Sequence, residues 1–199
     1  MAKRVFIVHR WAAEATDDYY PWLKDQLEEK GFTAKIVDLP ETMDPKPEKW
    51  LAQLEKEVGK PDEDTILVGH SLGAQTVMNY LEKDHGARIR GAVLIAHWPR
   101  LSEKDKEHQE YIAMSKRWLS REPRWEEIAR NTDGVIAIFS DNDPFVPLSD
   151  SAVLKRRLNA KIIIEKGKGH FGDVEPAVLE LQSALNAVIE LSKRKSGKK

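Results

Sequence analysis

The pentapeptide Gly69-His70-Ser71-Leu72-Gly73 is the strongest chemical signal in the sequence. It directly follows the apolar run Thr65–Val68 and directly precedes a predicted helix, which is the strand–turn–helix context of a G-x-S-x-G motif. Such a turn strains the backbone of the serine and presents its hydroxyl at a helix N-terminus, where a developing anion is favoured. The spacing therefore predicts Ser71 as a catalytic nucleophile.

A serine nucleophile needs a general base, and the base needs a carboxylate that orients it. Of the six histidines, His170 alone follows the last predicted strand, between flexible glycines, and we predict it as the base. The acid is expected after the fifth strand, where Asp141 and Asp143 are both candidates. We favour Asp143, because Pro144 biases it toward an extended backbone. Asp141 is expected to stabilise its own turn.

The loop after the first strand, residues 9–13, is expected to face the Ser71 turn at the topological switch point of the sheet. The backbone N–H of Leu72, with that of Trp11 or Arg10, would then form an oxyanion hole. One such donor contributes roughly 3–4 kcal/mol to transition-state stabilisation. The residues predicted to line the substrate pocket are His9, Trp98, Tyr111 and Trp118. The pair of His9 and His70 is interpreted as part of the turns and not as a metal site.

Short β-branched runs alternate with longer amphipathic stretches along the chain. The predicted strands are Arg4–Val8, Thr33–Val37, Thr65–Val68, Gly91–Ala96, Gly134–Phe139 and Lys161–Glu165. The predicted helices lie at about Tyr20–Lys30, Pro47–Val58, Ala74–Asp84, Ser149–Leu158 and Glu175–Ser192. This alternation predicts an α/β fold, an α/β-hydrolase-like three-layer sandwich of about six parallel strands in the order 2-1-3-4-5-6 with helices on both faces.

We predict one domain over residues 1–192 and a basic disordered tail over residues 193–199. The domain carries a helical insertion at about residues 97–133, which holds three of the six tryptophans of the chain. Two interpretations of this insertion remain open. It is either a helical pair that packs on the sheet edge or a cap that shapes the substrate pocket.

Composition excludes several classes of protein. The absence of cysteine excludes a disulfide scaffold, a thiolate zinc site and a cysteine nucleophile. The whole chain has a net charge of -1, and the tail holds five basic side chains, so the domain without the tail has a net charge of -6. An acidic domain argues against a nucleic-acid partner. No apolar run approaches the ~18 residues of a membrane span. We predict a soluble cytoplasmic protein with no cofactor and no metal, a monomer or weak homodimer.

Several motifs together resemble the retinoblastoma-binding protein 9-like serine hydrolase family, which includes the bacterial YdeN-like proteins. Besides the pentapeptide they are Tyr20-Pro21-Trp22-Leu23, Pro47-Glu48-Lys49-Trp50, Asp143-Pro144-Phe145-Val146-Pro147 and Gly169-His170-Phe171. The resemblance covers nearly the whole chain. It implies a triad of Ser71, Asp143 and His170, in agreement with the assignment from the residues, and esterase-like activity on small esters.

The chain departs from this family in the loop after the first strand. The family usually has glycine after the first-strand histidine and often more glycines beyond, where this chain has Arg10, Ala12 and Ala13. Arg10 would narrow the oxyanion hole or place a cation beside an acidic substrate. Our first hypothesis is a serine hydrolase that cleaves small-molecule esters. The alternatives are a hydrolase of thioesters or amides, a weak or inactive binding protein with the same fold, and an engineered variant of such a hydrolase.

Overall fold

Six parallel strands form one sheet in the order β2-β1-β3-β4-β5-β6, in a computed structural model that describes residues 3–99, 109–172 and 177–194. The strands are β1 (Arg4–Val8), β2 (Thr33–Ile36), β3 (Thr65–His70), β4 (Gly91–Ile95), β5 (Val135–Ser140) and β6 (Lys161–Glu165). The central strands β3, β4 and β5 are buried along their whole length, because helices cover both faces of a parallel sheet. The predicted fold class and strand order are confirmed.

Seven α-helices connect and cover the strands within the described residues. They are α1 (Tyr20–Glu29), α2 (Pro47–Val58), α3 (Leu72–Leu81), α4 (Gln109–Trp118), α5 (Trp125–Asn131), α6 (Ser151–Leu158) and α7 (Gln182–Ser192). Helix α1 packs against α7, whereas α2 and α5 pack against α3, and α5 also contacts α6. These contacts group α1 with α7 in one layer and α2, α3, α5 and α6 in the other layer.

Three predicted helix starts were wrong. One of them is the start of α6, which begins at Ser151 instead of Ser149, because Leu148–Asp150 form a short 3-10 turn. The last helix was expected from Glu175, but α7 begins at Gln182, and residues 177–181 are not helical. Val178 and Leu181 are nevertheless buried in the core, so their spacing imitates a helical pattern without a helix. Helix α3 begins at Leu72 instead of Ala74, since strand β3 continues to His70 and the turn between them is a single residue.

The order of the strands determines where a site can form. Strand β1 lies between β2 and β3, and its register places Val8 beside Gly69. The chain leaves β1 toward one side of the sheet and leaves β3 toward the other, so a crevice opens between the two loops. The loop after β1 therefore lies next to the Ser71 turn.

Helices α4 and α5 both lie within the predicted insertion, residues 97–133. Their buried residues include Met114, Trp118, Trp125 and Ile128. Residues 100–108 of the insertion and residues 195–199 of the predicted tail lie outside the described residues, as does the side chain of Tyr111. In the described ranges, no helix combines the length and the apolar character that crossing a bilayer requires.

Candidate active site

Ser71 occupies a strained single-residue turn between β3 and α3. Its backbone has φ 54° and ψ -116°, a left-handed conformation that L-residues rarely adopt. The Ser71 N–H donates to the Ile95 carbonyl at 2.9 Å, which anchors the turn to β4. A Cβ on Gly73 would lie 2.1 Å from the Val8 oxygen, and a Cβ on Gly69 would lie 2.6 Å from the α3 backbone. Both flanking glycines are therefore required by close backbone packing.

The structure brings together the three residues predicted to act in catalysis. Ser71 Oγ lies 2.9 Å from His170 Nε2. On the other side of the ring, His170 Nδ1 lies 2.9 Å from Asp143 Oδ2 and 3.1 Å from Oδ1. A carboxylate accepts only, so Nδ1 carries the proton and Nε2 can accept the serine proton. The His170 and Asp143 side chains are almost fully buried, which strengthens this chain of hydrogen bonds.

The acid loop after β5 fixes the carboxylate of Asp143, the favoured candidate for the acid, beside His170. Asp143 Oδ1 also accepts hydrogen bonds from the N–H groups of Phe145 and Val146, at 2.9 and 3.0 Å. Asp143 thus both stabilises its own turn and contacts His170. The expectation that Asp141 stabilises its own turn was wrong, because its Oδ1 accepts from the Gly167 N–H at 2.8 Å. Asp141 binds the loop that carries the base.

Two further residues hold the base loop, and they were not predicted from the sequence. They are Ser140, the last residue of β5, and Asn142 of the acid loop. Asn142 Oδ1 accepts from the Gly169 N–H at 2.8 Å and from the Ser140 hydroxyl at 2.8 Å. The same Ser140 hydroxyl accepts from the Lys168 N–H at 3.0 Å. The sequence signal that could have indicated this role is the run of short polar side chains at the end of a buried strand. Because the chain pairs two loops this way, the acid and the base are held in register.

The oxyanion-hole prediction needs one correction. Leu72 is the first residue of α3, so its N–H has no acceptor within the helix. The Trp11 N–H donates to no acceptor in the part of the chain that the structure describes. The Arg10 N–H, however, donates to the Tyr20 hydroxyl at 3.1 Å, so the prediction of Arg10 as a donor was wrong. Leu72 and Trp11 remain the candidate donors.

The Arg10 side chain forms a buried ion pair with a nearby carboxylate. Its Nε lies 2.8 Å from Asp18 Oδ2, and fewer than a tenth of either side chain is exposed. Its Nη1 donates to the Trp11 carbonyl at 2.9 Å. The positive charge of Arg10 is thus compensated inside the protein, and the guanidinium helps to shape the loop that carries the Trp11 N–H.

Two of the residues predicted to line the pocket, His9 and Trp118, pack against Trp50, which entered the sequence analysis only as part of a motif. The rings of His9 and Trp118 each lie 5.5 Å from the Trp50 ring in edge-on contacts. His9 Nδ1 donates to the Arg10 carbonyl at 2.8 Å. Trp50 itself is fully buried. Their role in substrate binding stays a prediction.

Trp98 is tied to the helix that follows the nucleophile. Its carbonyl accepts a hydrogen bond from the Gln75 side chain in α3. Trp118 and Gln75 also line a cavity of about 340 Å³ between α2, α3 and the α4–α5 connection. The insertion therefore contacts the nucleophile helix through the Trp98 carbonyl and through α5. The predicted role of Trp98 in the pocket stays a prediction.

Burial favours the uncharged form of three titratable side chains at the site, His70, His9 and Tyr20. Desolvation lowers the pKa of His70 well below its usual value, and the nearby His170 and Arg10 lower it further. Burial likewise lowers the pKa of His9 and raises the pKa of Tyr20 well above its usual value. Among the described residues no group of three or more His, Asp or Glu side chains could hold a metal ion.

A parallel sheet in this order, with a serine at the turn after the third strand and a histidine after the last, defines the α/β hydrolases. The sequence model described as serine hydrolase matches residues 5–176. The chain belongs to this family and is a serine hydrolase, which confirms the family that the motifs indicated.

Individual relatives agree with this assignment. The chain is 30% identical to YdeN of Bacillus subtilis over 182 residues, which are 86% of this chain and 87% of that protein. It is 30% identical to the serine hydrolase RBBP9 of Rattus norvegicus over 163 residues, covering 81% and 82%. The crystal structure of the B. subtilis ydeN product matches 97% of this chain and 100% of that chain, with a TM-score of 0.86 and 25% identity.

A more distant solved structure shares the fold alone. It is Est1E of Butyrivibrio proteoclasticus with ferulic acid bound, at 17% identity and a TM-score of 0.67, covering 95% of this chain and 87% of that chain. At that identity the match extends the fold assignment to a wider group of α/β hydrolases.

Proposed function

We propose that the protein cleaves small carboxylic esters through an acyl-enzyme, with Ser71 as nucleophile, His170 as general base and Asp143 as the group that orients the base. The observation that carries this proposal is the unbroken hydrogen-bond chain from Ser71 Oγ through both His170 nitrogens to Asp143. Each residue stands in the atom-to-atom relation that nucleophilic catalysis by serine needs.

The reaction would proceed in two halves. Ser71 Oγ attacks the ester carbonyl carbon while its proton moves to His170 Nε2, and the tetrahedral oxyanion binds the N–H groups of Leu72 and Trp11. Collapse of this intermediate breaks the ester C–O bond, and His170 returns the proton to the leaving alkoxide. Water then attacks the acyl-serine by the same route. Asp143 stabilises the imidazolium that forms in each half.

The binding-protein alternative was based mainly on Arg10, which stands where the family usually has glycine. The guanidinium is instead held by Asp18, and the 2.9 Å contact between Ser71 and His170 is intact beside it. These observations support turnover over binding alone. Small-molecule esters are proposed as substrates because an alkoxide leaves the tetrahedral intermediate more readily than the amine of an amide does, and His170 can protonate it.

Steady-state hydrolysis of p-nitrophenyl esters tests the proposal. The wild type, Ser71→Ala and His170→Ala would be assayed on acetate, butyrate and octanoate esters, beside the corresponding anilides. Ser183→Ala is the matched control, because its Oγ has no hydrogen-bond partner in the described residues and lies on α7. We expect ester turnover by the wild type and by Ser183→Ala, and losses of about a thousandfold or more in the other two.

Two outcomes of this assay would contradict the proposal. Ester hydrolysis by Ser71→Ala at the wild-type rate would remove Ser71 from the mechanism. Faster cleavage of the anilides than of the esters would replace ester hydrolysis by amide hydrolysis as the activity of the same three residues.

A further inference from the structure

His70, the residue before the nucleophile, joins two loops through hydrogen bonds whose directions are fixed by chemistry. Its Nε2 lies 2.8 Å from the His170 carbonyl oxygen. A carbonyl only accepts, so Nε2 carries the proton. Its Nδ1 lies 2.7 Å from the Tyr20 hydroxyl, which must therefore donate to it. The Tyr20 oxygen in turn accepts from the Arg10 N–H at 3.1 Å.

We propose that His70 is a positioning residue for His170: locked by Tyr20 as the neutral imidazole with its proton on Nε2, it holds the backbone of the base so that the His170 ring reaches Ser71. This inference rests on the proposed function, since it assigns His170 the role of general base. It adds to that function a hydrogen-bonded connection from the first-strand loop to the base loop.

The base loop needs such a hold because both neighbours of His170 have a positive φ, which strains the backbone at Phe171. Gly169 and Phe171, on either side of His170, have φ of 52° and 62°. The acid loop binds the N–H groups of residues 167–169 and the His170 ring. Among the described residues, the carbonyl of His170 accepts its hydrogen bond from His70. Residue 170 is therefore held at its ring by Asp143 and at its backbone by His70.

The electrostatics of the site agree with this role. His70 is almost fully buried, and burial, His170, Arg10 and His9 together lower its pKa well below the usual value. The His70 and His170 rings lie 5.4 Å apart. When His170 becomes an imidazolium during the reaction, a neutral neighbour avoids the repulsion that a second cation at this distance would cause.

Two adjacent tyrosines provide a matched pair of variants. Tyr19 and Tyr20 are both fully buried, and their rings lie 5.7 and 6.0 Å from the His70 ring. The Tyr20 hydroxyl makes the two hydrogen bonds of the connection, whereas the Tyr19 hydroxyl has no hydrogen-bond partner in the described part of the chain. Tyr20→Phe therefore removes the hydrogen bond that fixes the tautomer and orientation of the His70 ring. Tyr19→Phe removes an equally buried hydroxyl and leaves that hydrogen bond in place.

The first experiment measures the second-order rate at which a fluorophosphonate labels Ser71. We expect Tyr19→Phe to react like the wild type and Tyr20→Phe to react about tenfold more slowly, because one hydrogen bond that aligns the base is lost. His70→Leu should be slower by about a hundredfold. His70→Gln should recover part of that loss, since its amide N–H can reach the same carbonyl. Equal rates for Tyr20→Phe and Tyr19→Phe would overturn the proposal.

The second experiment measures the protonation state of the His70 ring and does not depend on enzyme activity. Nitrogen-15 NMR of the imidazoles in the wild-type protein at pH 7 should show Nε2 of His70 protonated and Nδ1 unprotonated. A proton on Nδ1, or on both nitrogens, would overturn the proposal even if every variant were folded and active. A wild type that shows this tautomer but is not labelled at Ser71 would instead contradict the proposed function, so the two failures are distinguishable.

Discussion

His97 is expected to make the folded protein sensitive to acid. It follows β4 and is fully buried, and neither ring nitrogen has a hydrogen-bond partner among the described residues. Desolvation by burial therefore lowers the pKa of His97 from 6.5 to about 3. The folded protein keeps this ring neutral at pH values where the unfolded chain takes up a proton.

The direction and size of the effect follow from proton linkage. Below pH 6.5 the unfolded state binds more protons than the folded state, so the free energy of unfolding falls as the pH falls toward about 3. Each pH unit in this window costs about 1.4 kcal/mol. Between pH 7 and pH 5, His97 alone should lower the free energy of unfolding by about 2 kcal/mol. Above pH 6.5 its contribution is fully retained.

Urea unfolding at pH 7 and pH 5 measures this contribution. The wild type should lose about 2 kcal/mol more between the two pH values than His97→Leu does, because leucine cannot titrate. Ser115→Ala is the control, since Ser115 is a buried polar residue whose Oγ also has no partner in the described ranges and does not titrate in this range. It should lose as much as the wild type. An equal loss in His97→Leu would refute the assignment of a depressed His97 pKa.

Three further predictions concern stability and are measured by urea unfolding at pH 7. Ala12 has φ 52°, so Ala12→Gly should relieve backbone strain and raise the free energy of unfolding by up to about 1 kcal/mol. Ala13→Gly, at a buried neighbouring site, should lower the free energy of unfolding. A loss of stability in Ala12→Gly and a gain in Ala13→Gly would contradict the strain at Ala12. Gly73→Ala should cost about 3 kcal/mol, because its Cβ would meet the β1 backbone, and a neutral effect would contradict that packing. Glu82 is buried and bound to two arginines of the insertion. Glu82→Gln should therefore lower the free energy of unfolding by about 2 kcal/mol. Glu127→Gln, which disrupts a more exposed pair, should change stability by less than about 0.5 kcal/mol, and similar losses in both would contradict this difference.

The sequence predicts much of the fold because its local signals are strong and agree with one another. Apolar β-branched runs alternate with amphipathic helices, and this pattern specifies a parallel sheet. Glycines bracket Ser71 because a side chain at position 73 would meet the β1 backbone and one at position 69 would meet the α3 backbone. The candidate nucleophile, acid and base can therefore be chosen from their positions after β3, β5 and β6, and the structure brings those three side chains together.

The sequence does not predict contacts that depend on how loops fold over one another. The sequence makes the Arg10 N–H a candidate oxyanion donor. In the structure, this N–H instead donates to the hydroxyl of Tyr20, ten residues further along the chain. The role of Asn142 is visible only when the acid and base loops meet. Val178 and Leu181 are apolar because they are buried in the core, although they do not lie in a helix. Their spacing therefore led to a predicted helix that starts too early.

The most direct test of the account is the intact mass of the protein after treatment with a fluorophosphonate, for the wild type beside Ser71→Ala and His170→Ala. We expect one adduct on the wild type, none on Ser71→Ala and a greatly slowed reaction for His170→Ala, because only an activated serine hydroxyl attacks the probe. A folded wild type that gains no adduct, or a Ser71→Ala variant that still gains one, would contradict the claim that Ser71 is the nucleophile.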